Sequence, residues 1–224
     1  VKADHDAAVP SPDDAVILLA RRLPKAELHM HLTGSLAPSD YLRLRTASTG
    51  ERPSAADLAR AYDNLGAAKF FADLDVAAGL WQDAEGLERA TAAALDTAFD
   101  RGARHIELLC TPALSHSQAG LSVRETLGAV DRAFAAARER LGVSGGIVVE
   151  LHRPDGDRDA VSLVEESIAL RAEGMRILGI GSDGDHRSAP LSALQDAYRR
   201  AKDAGLRITG HVMSAAETRL ALDW

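Results

Sequence analysis

The sequence predicts an α/β fold with a parallel sheet, and within that class a TIM-type (β/α)-barrel that is incomplete, with about five βα units. Three observations carry this expectation. Strand-like and helix-like segments alternate at roughly 30-residue intervals after one long helical insertion, the repeat of a βα unit. Aromatics are only 4% of the 224 residues, so Ala and Leu must fill most of the core, which favours helix-rich packing over a β-sandwich. No Gly-rich phosphate fingerprint follows any strand, which argues against a dinucleotide-binding sheet and leaves the barrel. A closed barrel needs eight strands, so the pattern stops roughly three units short of closure.

The elements follow in order. Residues 1–13 are polar, hold two prolines and read as a flexible arm. Residues 14–224 read as one barrel domain, with its C-terminal strands missing. Asp14–Arg22 has apolar residues at helical spacing. Ala26–His31 is the first expected strand. Pro38–Arg45, Ser54–Tyr62 and Ala68–Leu80 read as helices, the first with Pro38 in its opening turn. Gly86–Arg101 is a strong helix with Leu87, Ala90, Ala94, Leu95 and Ala98 on one face, stopped by Gly102. The second strand is Arg104–Leu109. Val123–Leu141 is amphipathic, with Leu127, Val130, Phe134 and Leu141 inward. Gly146–His152 is the third strand, Asp159–Glu173 a helix capped by Gly174, and Arg176–Ile180 the fourth strand. Leu191–Ala204 is a helix capped by Gly205, Leu206–His211 the fifth strand, and Glu217–Trp224 the start of another helix.

Composition excludes several classes. A single cysteine rules out an internal disulfide framework and a Cys-rich zinc module. A net charge of −7 argues against general nucleic-acid binding. No apolar run approaches the roughly 18 residues that a membrane span requires, and the opening segment lacks the basic and apolar regions of a secretory signal. A cytoplasmic protein is therefore expected. The first residue is Val1, which points to a processed or trimmed N-terminus.

The sharpest chemical signal is Glu27-Leu28-His29-Met30-His31 at the end of the first strand. Residues two apart on a strand share a face, so His29 and His31 project together towards the C-terminal mouth, where parallel barrels carry their sites. Two neutral imidazoles so placed can share a divalent ion, most simply Zn2+. The alternative is a pair of histidines satisfied by backbone partners. His211 ends the expected fifth strand and can converge on the same centre, or serve as a capping or core histidine. Three histidines and a water form an open zinc site, in which the water's pKa falls towards about 7. Cys110 follows the second strand and reads as a buried structural thiol before a nucleophile. His116 and His152 sit at or after strand ends without a partner at fixed spacing. Arg21-Arg22 and Glu165-Glu166 read as solvated helix faces.

The stretch LPKAELHMHLTGSLAP (Leu23–Pro38) resembles the N-terminal motif of the adenosine deaminase family of zinc aminohydrolases, PK-x-ELH-x-HL-[DE]-G-[SA]. The resemblance is collinear. GLERATAAALDTAFDRGARHIELLCTP, from Gly86, is similar to the family's first strong helix and second strand. GIGSDGDH, from Gly179, stands where the family has G-x-x-L-A-G-D-E, and ITGHVMSAAET, from Ile208, where it has T-x-HAGE. The similarity reaches about two-thirds of a typical member. It implies a barrel of the metal-dependent amidohydrolase kind. It also implies a mechanism: zinc-activated water attacks C6 of a purine, a glutamate protonates N1, and a histidine and an aspartate on later strands orient the water and complete the metal shell. Ammonia leaves. By position it implies His29, His31 and His211 as zinc ligands, and Gly184 and Thr33 as substrate contacts.

The departures are specific. Ser214 stands at the proton-donating glutamate, and a serine hydroxyl has no useful acidity near neutral pH; loss of general-acid help costs about 10²- to 10⁴-fold in rate. Glu217, three residues on, is the candidate catalytic substitute, or else an acid in the first turn of the next helix. Thr33 replaces an acidic residue, and His186 follows Gly184-Asp185 where the family has glutamate. Asp183, Asp185 and His186 otherwise read as a solvated loop. Two functional readings result. One is a zinc-dependent aminohydrolase acting on adenosine or a related purine. The other is a degenerate relative that binds a purine or a partner chain without deaminating. Hydrolysis of a different C–N bond is a minor third. A second chain or an oligomer covering the open sheet edges is an expected partner in any of them.

Overall fold

The computed structural model describes residues 12–50, 52–63, 77, 79–155, 159–185 and 187–223. Residues 1–11 of the expected arm, most of the helix expected over Ala68–Leu80, His186 and Trp224 lie outside the described residues. Five strands form one parallel sheet in chain order: β1 (Lys25–His31), β2 (Ala103–Cys110), β3 (Ser144–His152), β4 (Ile177–Asp183) and β5 (Arg207–Ile208). Sequential order with parallel pairing is the product of successive βα units. Helix α1 (Pro12–Arg22) precedes β1. Helices α2 (Pro38–Thr49), α3 (Ala55–Ala61) and α4 (Ala84–Asp100) lead to β2; α5 (Pro112–Ala119) and α6 (Val123–Leu141) lead to β3. Helix α7 (Ala160–Ala172) connects β3 to β4, α8 (Gln195–Asp203) connects β4 to β5, and α9 (Ala215–Leu222) follows β5.

The strongest helices are bounded by side-chain chemistry that the sequence displays. Ser122 caps α6 through a reciprocal box with Glu125, and Gly142 ends it at φ 70°. Asp83 caps α4 by accepting from the Gly86 amide at 2.7 Å. The expected inward residues of α4 are all buried, as are Leu127, Val130 and Phe134 of α6, with Leu141 half-buried. These two helices lie against the sheet beside Ile106 and Leu108 of β2 and Ile147 and Val149 of β3, which are fully buried. Exposed pairs such as Arg132–Glu88 (2.7 Å) tie neighbouring helices at their outer faces. Glu165, expected on a solvated face, pairs there with Arg200 of α8.

Several elements differ from expectation. Helix α1 takes in Pro12 and Asp13 of the expected arm, and β4 runs past Ile180 to Asp183, so Asp183 ends a strand as a buried residue and does not sit in a solvated loop. Helix α2 continues to Thr49 because its stop is Gly50, at φ 72°. Helix α5 was not anticipated; it opens with Pro112 at its first turn and closes on Gly120. The fifth strand is two residues long instead of running to His211. One further ladder bond forms, Thr209 N to Ile180 O at 3.0 Å. The Tyr198 hydroxyl then donates to the Thr209 carbonyl at 3.0 Å, and this side-chain bond takes the place of further strand pairing. Gly210 slips past this corner: a Cβ there would stand 2.8 Å from Ser182 Oγ and 2.9 Å from Tyr198 Oη. His211 therefore leaves the sheet on a turn. At the other end, β3 starts earlier than expected, at Ser144. Gly145 takes φ +125° with its Cα so close to β2 that a Cβ would lie 1.7 Å from the Ile106 carbonyl oxygen.

Candidate metal centre

His29 and His31 lie at the C-terminal end of β1, where the pairing with β2 carries an irregularity between Glu27 and Met30. A bulge of this kind re-aims side chains at a sheet edge. The chain then turns sharply, and Ser35 Oγ donates to the His31 carbonyl. His211 arrives from the turn after β5. The three Nε2 atoms form a triangle: His29–His31 2.9 Å, His31–His211 3.0 Å and His29–His211 3.1 Å. They border a cavity of about 1020 Å³ whose wall also includes Asp183 and Gly184.

Three imidazole nitrogens facing one point cannot all be satisfied by hydrogen bonds to one another, because each neutral ring has one N–H. Tetrahedral zinc at about 2.05 Å from each nitrogen would place them roughly 3.3 Å apart. The observed triangle is close to that spacing, and an all-imidazole donor set suits zinc. The rings also disfavour each other's charge. Burial, then the neighbouring histidines, holds His29 and His211 below the ordinary histidine range, and so in the neutral form a metal needs. His31 differs. Burial alone would lower it, but the Glu150 hydrogen bond and the charges of Glu150 and Asp183 outweigh burial and raise it.

Glu150 and Asp183 come from the middle of the sheet, at the ends of β3 and β4. Glu150 is 1% exposed; its Oε2 accepts from His31 Nδ1 at 3.1 Å and from Thr111 Oγ1 at 3.0 Å. Burial pushes its carboxyl above the usual range. Asp183 Oδ2 lies 3.6 Å from the same Nδ1, and its Oδ1 accepts from the Gly184 amide at 2.7 Å. Two donor sets therefore overlap at His31, one on the three Nε2 atoms and one on His31 Nδ1 with the two carboxylates. A neutral imidazole offers one lone pair, so these sets are alternatives. Neither carboxylate emerged as a site residue from sequence reasoning. The available signal was Glu150 itself, a lone acid inside the buried run Ile147–Leu151.

The remaining candidates fall elsewhere. Ser214 is the N-cap of α9 and accepts from the Glu217 amide at 3.1 Å. Glu217 lies in the first helical turn. Its carboxylate takes Arg153 Nη2 at 2.5 Å, the Met213 amide at 3.0 Å and the Leu191 amide at 3.4 Å. Arg153 above all, with these amides, holds the Glu217 carboxyl below the usual range. Glu217 is not among the described residues that line the cavity, and neither is Thr33. Thr33 instead sits in the turn after β1, beside a small void bordered by Trp81, Cys110 and Thr111. Gly184 does border the cavity. It takes φ +96°, and a Cβ would meet Pro154 Cδ at 2.5 Å and His152 Cδ2 at 3.1 Å. His116 lies on α5 with its Nδ1 at the Leu121 carbonyl.

Arg153 was missed by sequence reasoning. It is fully buried after β3 and donates to the Ala189 carbonyl (2.8 Å), the His211 carbonyl (3.4 Å) and Glu217. It thus ties the turns after β3, β4 and β5 together and holds the backbone of the third histidine.

The family model for adenosine deaminase matches residues 24–220. The chain belongs to the adenosine deaminase family. An adenine deaminase of Geotalea uraniireducens is 29% identical over 197 residues, covering 84% of this chain and 53% of that protein. The crystal structure of an adenine deaminase from Arthrobacter aurescens superposes with a TM-score of 0.78 at 27% identity, covering 89% of this chain and 62% of that one. A Burkholderia ambifaria amidohydrolase with bound Zn matches in fold with a TM-score of 0.82 at 24% identity, over 100% of this chain and 62% of that one. The chain thus spans about half the length of the Geotalea protein. The five-stranded parallel arc of this family member is the corresponding portion of a TIM-type (β/α)-barrel. No helix among the described residues is long and apolar enough to cross a membrane.

Proposed function

We propose that this protein takes part in hydrolytic deamination of a 6-aminopurine, with Zn2+ held by His29, His31 and His211. The observation that carries the reading is the convergence of three Nε2 atoms within 2.9–3.1 Å at the wall of a cavity large enough for a nucleoside. When bound, zinc supplies the Lewis acidity that makes water nucleophilic near neutral pH. The overall reaction replaces the C6 amino group by a carbonyl oxygen from water and releases ammonia. Among this chain's own residues, His31 turns Nε2 towards the other two imidazoles and Nδ1 towards Glu150 Oε2, 3.1 Å away. Gly184, on the cavity wall, lets the chain after β4 pack closely against Pro154, where any side chain would collide. The names of the Geotalea and Arthrobacter relatives favour the free base adenine over adenosine.

A second reading has its own support. Ser214 is a helix cap, and Glu217, the nearby acid, is held ionised by Arg153, so neither offers a proton to a ring nitrogen. These facts favour a purine-binding relative that does not turn over. The two readings separate on one experiment with the 224-residue chain: metal content, then ammonia release and binding with adenine and with adenosine. Zinc near one per chain, lost in His29→Ala, His31→Ala and His211→Ala, together with ammonia release from either purine, supports the enzyme. Zinc and purine binding without ammonia supports the second reading. A chain that takes up no zinc overturns the enzyme reading, and one that binds neither purine overturns the second. We further propose that β1 and β5, each paired on one side only among the described residues, accept additional strands from a second chain or oligomer.

A further inference from the structure

We propose that Glu150 is a positioning residue for the metal centre, its buried carboxylate fixing His31 in the tautomer whose Nε2 can bind a metal. The inference rests on the assignment of His29, His31 and His211 as the metal-binding set. It begins from an anomaly of burial. Every residue of β3 from Gly145 to Leu151 is buried, and all but Glu150 are Gly, Ile, Val or Leu. A carboxylate in such a run is destabilising unless paired. Among the described residues, His31 is the basic group within ion-pair distance of it. One oxygen, Oε1, has no hydrogen-bond partner there, so the group is retained without being fully satisfied.

Its geometry serves one contact. Thr111 Oγ1 donates to Oε2 from the end of β2, and His31 Nδ1 donates to that same oxygen. Thr111 therefore aims the carboxylate, and the carboxylate aims the ring. In water a neutral imidazole distributes its proton between both nitrogens, and the partner of one nitrogen decides the state of the other. With the proton on Nδ1, the Nε2 lone pair points at Nε2 of His29 and His211. A carboxylate behind a ligating imidazole also raises its basicity. Asp183 Oδ2, at 3.6 Å, adds negative charge behind the same nitrogen. A second cation seated on Nδ1, Glu150 and Asp183 would require His31 to lose both protons while the first metal occupied Nε2. The geometry favours the hydrogen-bonded arrangement.

The test uses the whole chain and two readouts. Long-range ¹H–¹⁵N correlation at about pH 8, above the ordinary histidine range, reports the His31 tautomer before metal is added. Competition titration with Zn2+ alone then reports affinity and stoichiometry. Wild type is expected to show Nδ1–H at His31 and to bind one zinc. Glu150→Leu is expected to lose the Nδ1–H preference and to bind zinc about 10- to 100-fold more weakly. Glu150→Gln, whose amide oxygen still accepts from Nδ1, should keep the tautomer and lose less affinity; being nearly isosteric, it also stands in if the leucine variant does not fold. Wild-type zinc affinity in a folded Glu150→Leu chain, loss of the Nδ1–H tautomer at no cost in zinc affinity in Glu150→Gln, an Nε2-protonated His31 in wild type, or two zinc ions per chain would overturn the inference while leaving metal binding intact. A wild-type chain that shows Nδ1–H but takes up no zinc would overturn the metal assignment and leave control of His31 by Glu150 standing.

Discussion

Strand β3 is buried from Gly145 to Leu151, whereas β1 leaves Lys25 to His29 exposed and both residues of β5 are exposed. Yet the three imidazoles of the candidate centre come from β1 and from the turn after β5, and the carboxylates behind them come from β3 and β4. The edges present nitrogen donors to the cavity. The centre of the sheet supplies packing and fixed negative charge. An imidazole in a wet, half-open position costs little to place there, while a carboxylate in the dry interior acts at close range because few other charges compete with it.

The largest expected effect comes from His31, whose ring touches both the other two imidazoles and the buried Glu150 carboxylate. His31→Ala should abolish zinc uptake, measured by elemental analysis of folded protein. That loss should exceed the roughly 10- to 100-fold expected from an outer-shell change. Retention of one zinc per chain would break the division between edge and centre. Next is the packing contrast. Phe134, which is 0% exposed, should cost about 3–5 kcal/mol as Phe134→Ala in urea unfolding. Ile208 on the β5 edge is 36% exposed and should cost below roughly 1 kcal/mol as Ile208→Ala. Equal losses would show the edge to be as tightly packed as the centre.

A pH effect should follow from Glu217. Its folded-state carboxyl is held below the usual range, chiefly by Arg153. The unfolded chain therefore binds its proton first as pH falls. The stabilisation is complete above the unfolded value of about 4.3 and is lost as pH drops through the lower folded value. The difference in unfolding midpoint between wild type and Glu217→Gln should be constant near neutral pH and shrink below about pH 4.5. A pH-independent difference would remove the ion pair from the account. The smallest effect is at Cys110, at the buried end of β2. Burial pushes its thiol up to about 12, so iodoacetamide at about pH 8 should leave it unmodified until the protein unfolds. Rapid labelling of folded chain would show that the centre opens.

Much of the edge was legible in the sequence. His29 and His31 stand two apart on a strand, and that period puts them on one side whatever the details of the fold. The order of βα units was legible from the helical faces of α4 and α6, which carry their own caps and apolar stripes. The middle of the sheet was not, because its chemistry depends on register. Glu150 meets Thr111 and His31 only because β1, β2 and β3 end side by side, and no local spacing encodes that. The turn after β1 carries Thr33 towards Trp81 and Cys110 instead of the cavity. The end of β5 was misplaced because Tyr198, nine residues before the strand on α8, takes the Thr209 carbonyl.

The buried guanidinium of Arg153 bears on how this scaffold can be re-engineered. Since one group grips the carbonyls of Ala189 and His211 together with Glu217, the loops after β4 and β5 are not independent modules. A graft after β4 meant to admit a different ring substituent would shift the Ala189 carbonyl and drag the third imidazole with it. The transplantable unit is both loops and their shared arginine, moved as a single cassette.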